Sequence, residues 1–302
     1  MDDLHRRQFL GATAGVAATW AVAQHVQAAE NVPAPPLVTL GKTGITTSRL
    51  AQGTGVHGGN RQSDQTRMGF EKFVDLFRHS FDRGVRFFDL ADLYGSHVYF
   101  REAMRTIPRE EVAILTKIWW PYDGPTSETS SQEREQIVKS TLERFRHELA
   151  TDYLDIVLLH CLQSKTWSRD MQPYMDMLSE AKEKKQIRAV GVSCHDFGAM
   201  ETAAAEPWVD VILARINFKG VIMDGTPEQV VAVLKKAKDN GKTVIGMKIF
   251  GEGKLSSERE ECMRFAQDLG LLDAMTIGFE NAAQIDDALH LMHKYPAKPL
   301  QS

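Results

Sequence analysis

Cysteine is scarce in this chain: Cys161, Cys194 and Cys262 are the only three in 302 residues. Three scattered thiols exclude a disulfide framework and a cysteine zinc site, and each reads as a buried free thiol. An excess of positive charge is missing too. The formal net charge is -4, which argues against general nucleic-acid binding, because that needs a basic surface. The apolar stretch near the N-terminus falls short of the roughly 20 residues that span a bilayer, so an integral membrane protein is not expected. No early GxGxxG opens a helix after the first strand, which weakens a doubly wound dinucleotide-binding sheet. What is there, 43% hydrophobic and 25% charged residues, is ordinary globular composition.

The N-terminus reads as a segment apart from the fold. "HRRQFLGATAGVAATWAVAQHVQAAE" carries Arg6 and Arg7, then Phe9 and Leu10, a mildly apolar stretch, and small residues around Ala28 and Ala29. That is the layout of a secretory signal, and the arginine pair resembles a bacterial twin-arginine signal. An amphipathic anchor that stays attached is the alternative. The resemblance implies residues 1–29 as a leader read by the twin-arginine export machinery, and a periplasmic or otherwise exported protein. Residues 30–36, with Pro33, Pro35 and Pro36, read as a stiff linker. Residues 37–302 then form one catalytic domain.

"LVTLGKTGITTSRL" alternates around Gly41 and Gly44 and predicts a small β-hairpin. Beyond it, short apolar runs alternate with longer amphipathic ones. The runs start at 49, 85, 112, 154, 187, 209, 242 and 273. Helix signals lie between them, such as Thr226-Pro227 opening "PEQVVAVLKKAKDNG" and Gly241 closing it. Eight strand candidates, each followed by a helix candidate, predict a parallel (β/α)8 barrel, that is a TIM barrel, with an open doubly wound sheet as the rival.

In a barrel, chemistry collects at the C-terminal strand ends, where the βα loops converge. The second strand there ends in "FFDLADLYG", the third at Lys117 and the fourth at His160. A phenol near pKa 10 is a poor acid or base at neutral pH, and an adjacent cation lowers that value. Lys117 supplies such a cation, Asp89 an ion-pair partner for it, and His160 a hydrogen bond to a substrate oxygen. Tyr94 is then the proton donor or acceptor, with Asp92 a bystander. A structural Asp89–Lys117 pair and a satisfied histidine are the bland alternatives.

These residues resemble the aldo-keto reductases. "FFDLADLYG" is similar to that family's Asp-x-Ala-x-x-Tyr-Gly segment, "LTK" to its strand-three lysine and "DIVLLH" to its strand-four histidine. "IRAVGVS" and "TIGFENAAQIDDAL" extend the likeness, which covers roughly residues 37 to 294. It implies a tetrad of Asp89, Tyr94, Lys117 and His160, a nicotinamide cofactor and, commonly, a monomer.

The cofactor half departs from the family pattern. Ser193 and Cys194 stand where Ser-Asn usually holds the carboxamide, Arg215 replaces a glutamine with Asn217 two residues on, and Met247 replaces a stacking aromatic. By the same likeness Gly53 and Thr54 lie over the cofactor. Gly251 and Gly253 allow backbone N–H groups to approach a pyrophosphate, with Lys248 or Lys254 adding charge and an ordinary turn as the alternative. NADP-using members carry lysine, serine and arginine after strand eight, whereas Glu280 stands here. A carboxylate repels a 2′-phosphate and accepts from a ribose hydroxyl, which tips NAD(P)(H) toward NAD(H). Trp119, Trp120 and His97 are candidates for the substrate pocket, with ordinary packing as the alternative. The expectation is an oxidoreductase moving hydride between a nicotinamide and a small carbonyl or alcohol. A regulatory nucleotide-binding barrel and a barrel isomerase or hydrolase are the rivals.

Overall fold

The structure is a computed structural model that describes residues 33–119 and 129–300. The proposed leader, residues 30–32 of the linker, and Trp120 lie outside the described residues. Strands β1 (Leu37–Thr39) and β2 (Thr46–Ser48) pair antiparallel as the expected hairpin. Gly41 and Gly44 take positive φ in its turn, where a side chain would be strained.

Eight parallel strands follow: β3 (Leu50–Gly53), β4 (Phe87–Asp89), β5 (Ala113–Ile118), β6 (Leu154–Leu162), β7 (Ile187–Cys194), β8 (Val211–Arg215), β9 (Thr243–Met247) and β10 (Ala274–Gly278). They close in the order β10-β3-β4-β5-β6-β7-β8-β9. The fold is therefore the (β/α)8 TIM barrel with an N-terminal hairpin. The principal helices are α1 (Phe70–Asp82), α2 (His97–Ala103), α3 (Ser131–Leu149), α4 (Gln172–Glu183), α5 (Phe197–Ala205), α6 (Pro227–Asp239), α7 (Arg259–Asp268) and α8 (Ala282–Lys294). Local chemistry starts them. Ser130 with Glu133, and Thr226 with Gln229, form reciprocal capping boxes on α3 and α6.

Side chains alternate across each strand, and two apolar layers result. Ala51, Phe87, Leu115, Leu158, Leu213 and Ile245 fill the barrel interior, together with Leu40 and Ile45 from the hairpin. Leu50, Phe88, Ile114, Leu159 and Val192 pack outward under the helices. Both faces of these strands are buried, so they read as continuous apolar runs rather than alternating ones. Counting on by two from the inner layer, one residue per strand faces inward at the C-terminal rim: Gly53, Asp89, Lys117, His160, Ser193, Arg215, Met247 and Thr276. The alternation breaks once, where the β6–β7 register shifts between Leu159 and Leu162 and Cys161 takes φ 58°. Such a bulge re-aims the side chain that would otherwise face outward.

Candidate active site

Two of the rim side chains, Lys117 and Thr276, meet at Asp89, which is 6% exposed. One carboxylate oxygen pairs with Nζ of the fully buried Lys117, which also donates to the Leu90 carbonyl at 2.9 Å. The other carboxylate oxygen accepts from Thr276 Oγ1 at 2.9 Å. The Asp89 backbone carbonyl accepts from the Thr54 hydroxyl at 2.8 Å. Tyr94 closes a one-turn helix over 92–94, with Gly95 behind it in the left-handed conformation. Its hydroxyl lies 3.2 Å from His160 Nε2, and Lys117 Nζ sits 4.8 Å from the centre of its ring. Glycines 55 and 58 leave room for that ring: a Cβ on Gly55 would meet it at 2.3 Å and one on Gly58 at 2.5 Å.

Burial governs the protonation of this group. The Tyr94 phenol is pushed well above its usual value, by desolvation first and by the Asp89 charge second. That reverses the expectation that Lys117 lowers it; the ammonium instead pairs with Asp89. Lys117 is lowered by burial, against the opposing pull of Asp89. Burial and the nearby Lys117 hold His160 far below the ordinary histidine range. At neutral pH the site therefore presents a neutral phenol hydrogen-bonded to a neutral imidazole. A neutral phenol is a proton donor in waiting.

A cavity of about 670 Å³ opens from Asp89 and Tyr94 and runs past Gly53, Met247 and Gly278 to Glu280 and Asp287. That volume lies within the range of small-molecule and cofactor sites, about 300–1,000 Å³. At the rim, the Ser193 hydroxyl is fully buried with no partner among the described residues, and it does not line this cavity. Size and glycine-lined walls fit a dinucleotide.

Several residues selected from the sequence serve elsewhere. Cys194 faces outward into the helix-covered layer, fully buried, because it is one residue out of phase with Ser193. Asn217 uses all four hydrogen-bonding positions within the chain, to Val221, Lys219 and Lys248 backbone groups; it staples a loop. Thr54 is fully buried and brackets Asp89 from behind. Arg215 bonds His195 Nδ1 at 2.5 Å and Asp224 Oδ1 at 3.2 Å. His195 in turn lies 3.5 Å from Cys161 Sγ and is lowered to about 3 by burial and the Arg215 charge.

The glycine loop differs from expectation as well. The N–H groups of Gly251, Gly253 and Lys254 all close turns within it, so they are not free for a phosphate. Lys248 pairs with Glu252, whose carboxylate also accepts from the His57 N–H at 3.4 Å across the cavity. Lys248, Gly253, Met247 and Glu280 line the cavity; Gly251 does not.

His97 is excluded from a substrate pocket. It is 2% exposed and joins Glu148 and the outward Thr116, both at 2.7 Å, behind the barrel wall. Trp119 stays near the chemistry, its ring edge-on to His160 at 5.6 Å. Asp92 is no bystander. Arg144 grips it through two bonds of 2.9 and 2.8 Å and Arg61 adds a third at 3.2 Å, which pins the turn that ends in Tyr94. Thr276 and Arg144 were not selected from the sequence. Inward phase at the end of the eighth barrel strand would have marked Thr276; nothing local marks Arg144, 52 residues from Asp92.

A family model described as "Aldo/keto reductase family" matches residues 49–296, and the chain belongs to that family. Among characterised relatives, it is 26% identical over 220 residues to the NADH-specific methylglyoxal reductase of Escherichia coli, covering 68% of this chain and 65% of that one. It is 23% identical to the versiconal hemiacetal acetate reductase of Aspergillus parasiticus, covering 72% and 68%. Against the first of these relatives the chain spans half to two thirds of their length. The fold matches an aldo-keto reductase of Bacillus halodurans in its holo form, with TM-score 0.62, 16% identity and coverage of 88% and 92%. It also matches a Bombyx mori aldo-keto reductase in complex with NADP, with TM-score 0.63, 17% identity and coverage of 85% and 88%.

Proposed function

We propose that this protein reduces a small carbonyl compound with a nicotinamide dinucleotide, Tyr94 giving the proton. The observation that carries it is the half-buried phenol of Tyr94 against a neutral His160, with Asp89 and Lys117 behind it, at the inner end of a 670 Å³ cavity. When bound, the dinucleotide supplies the hydride. Met247, Lys248 and Glu280, which line the cavity, would hold it.

The chain's own residues do the rest. A raised phenol pKa keeps Tyr94 protonated at neutral pH, the form that delivers a proton to oxygen as negative charge develops there. In the tautomer with its proton on Nε2, neutral His160 presents a donor at the same point and orients the carbonyl. Lys117 holds positive charge behind the phenol ring and stabilises it as the proton leaves. Asp89 keeps that ammonium in place. Trp119 narrows the approach to His160.

Glu280, at the outer end of the cavity, favours a free ribose hydroxyl over a 2′-phosphate, so NADH is the better donor. Export through the twin-arginine machinery, directed by the Arg6–Arg7 segment, would place the enzyme in the periplasm as a monomer with its nucleotide already bound. One observation favours a second reading, a barrel without dinucleotide: Asn217 and Arg215 are engaged within the chain, and Cys194 faces away.

Direct titration with NADH and NADPH, followed by fluorescence, separates the two. Binding of either, tighter for NADH, is expected. Tyr94→Phe should then retain nucleotide affinity and lose about 10²–10⁴-fold in turnover on short aldehydes, the usual worth of an acid or base. Turnover within tenfold of the native protein would remove Tyr94 from the reaction.

A further inference from the structure

We infer that Thr276 is a positioning residue of this reaction centre, its hydroxyl reaching over Gly53 to fix the carboxylate that holds Lys117. The inference rests on the reductase reading above and adds a part that the four-residue cluster lacks.

Thr276 and Asp89 are not on neighbouring strands. β3 runs between β10 and β4, with Gly53 paired to Asp89 on one side and to Gly278 on the other. Adjacent strands lie about 4.8 Å apart, so next-but-one strands are separated by nearly twice that. An ordinary side chain on the middle strand would fill the gap. Gly53 has none, and Thr276 Oγ1 closes to 2.9 Å of Asp89 Oδ2. A Cβ on Gly53 would stand 2.9 Å from that same hydroxyl and 3.2 Å from the Gly278 nitrogen. The glycine is thus the opening through which the bond is made.

The bond has a directional consequence. A carboxylate held at one oxygen can turn about its last torsion, which is soft. Asp89 is held at both: Lys117 on Oδ1, Thr276 on Oδ2, with Thr54 fixing its backbone carbonyl. The ammonium of Lys117 therefore meets an acceptor in one orientation, on a strand two removed from the residue that sets it. Thr276 touches no reacting atom in this account. It acts on Tyr94 through Asp89 and Lys117.

Thr276→Val keeps the shape and removes the donor. A bond to a charged group is a strong one, and its loss should lower kcat by roughly tenfold or more, with NADH affinity within about twofold by fluorescence titration. Thr276→Ser restores the hydroxyl and should recover most of the lost kcat, which mere packing loss would not predict. Gly53→Ala, assayed at saturating NADH, should cost a similar factor, and adding Thr276→Val to it should cost little more, because both remove one bond. A Thr276→Val enzyme within twofold of native kcat, a serine variant that fails to rescue, or full additivity with Gly53→Ala would each overturn the inference. A readout independent of turnover is the titration of the Lys117 amine by nitrogen or side-chain carbon NMR. It should move to lower pH in Thr276→Val, as the stabilising carboxylate loosens, and an unmoved titration refutes the role. If the native protein reduces no carbonyl while that shift is present, the functional reading fails and the positioning stands.

Discussion

Replacing Lys117 by methionine tests the physical premise beneath the site, that a charged pair is buried at the barrel rim. Lys117 is wholly inaccessible and Asp89 is 6% exposed, so neither charge can turn to water when its partner goes. Breaking a buried pair from one side costs about 3–5 kcal/mol, because an uncompensated charge is left behind. For a chain of this size that is a fall of roughly 6–20 °C in Tm, at about 2–4 °C per kcal/mol. Asp89→Asn should cost a comparable amount. The double variant Asp89→Asn/Lys117→Met should recover most of the loss, since neutral groups of similar volume tolerate the site. Turnover, by contrast, should be lost in all three. Urea denaturation gives the stabilities, and a double-mutant cycle gives the coupling. Single variants within about 1 kcal/mol of native, against the 3–5 expected, would mean the pair is solvated and cannot stabilise a phenolate.

Two further outcomes follow from the surroundings of Tyr94. Arg144→Met should cost about 2–4 kcal/mol, as Asp92 is left buried on Arg61 alone, and should lower turnover by loosening the turn that carries the phenol; Arg144→Lys should rescue little, because an ammonium cannot grip both carboxylate oxygens. His160 and His195 are both depressed below the unfolded histidine value of about 6.5. The native state stays neutral while the unfolded chain takes up protons, so stability is intact above about pH 6.5 and falls as the pH drops toward the folded values. Between about pH 6.5 and 5 the urea midpoint should therefore fall, and His195→Asn should make that fall shallower. A midpoint flat from pH 7 to 5 would show that these imidazoles are solvated.

Much of the barrel was legible along the chain. Strands buried on both faces are continuous apolar runs, and the caps at Ser130 and Thr226 are local chemistry, so both can be read within a few residues. Asp89, Tyr94, Lys117 and His160 were legible for the same reason: each ends a strand or sits in the turn just after one. Phase is less visible in a run apolar throughout. Cys194 is a cofactor candidate only by its likeness to the family's Ser-Asn pair; one position from Ser193, it faces the helices. His97 was read toward the pocket because its neighbours in sequence are there, while its ring turns to Thr116 on the outer face.

The alternation of elements and the residue types at the strand ends can be read along the chain, since both depend on interactions over a few positions. How those types are used depends on the closed barrel. Closing the barrel brings β10 beside β3, and with that Thr276 reaches Asp89 across a glycine 36 positions before its partner's strand end. Burial then sets the charge states: the phenol's pKa rises, though a lysine next to it in the reading of the strand ends would have lowered it. Desolvation belongs to the whole fold, and no short stretch of residues carries it.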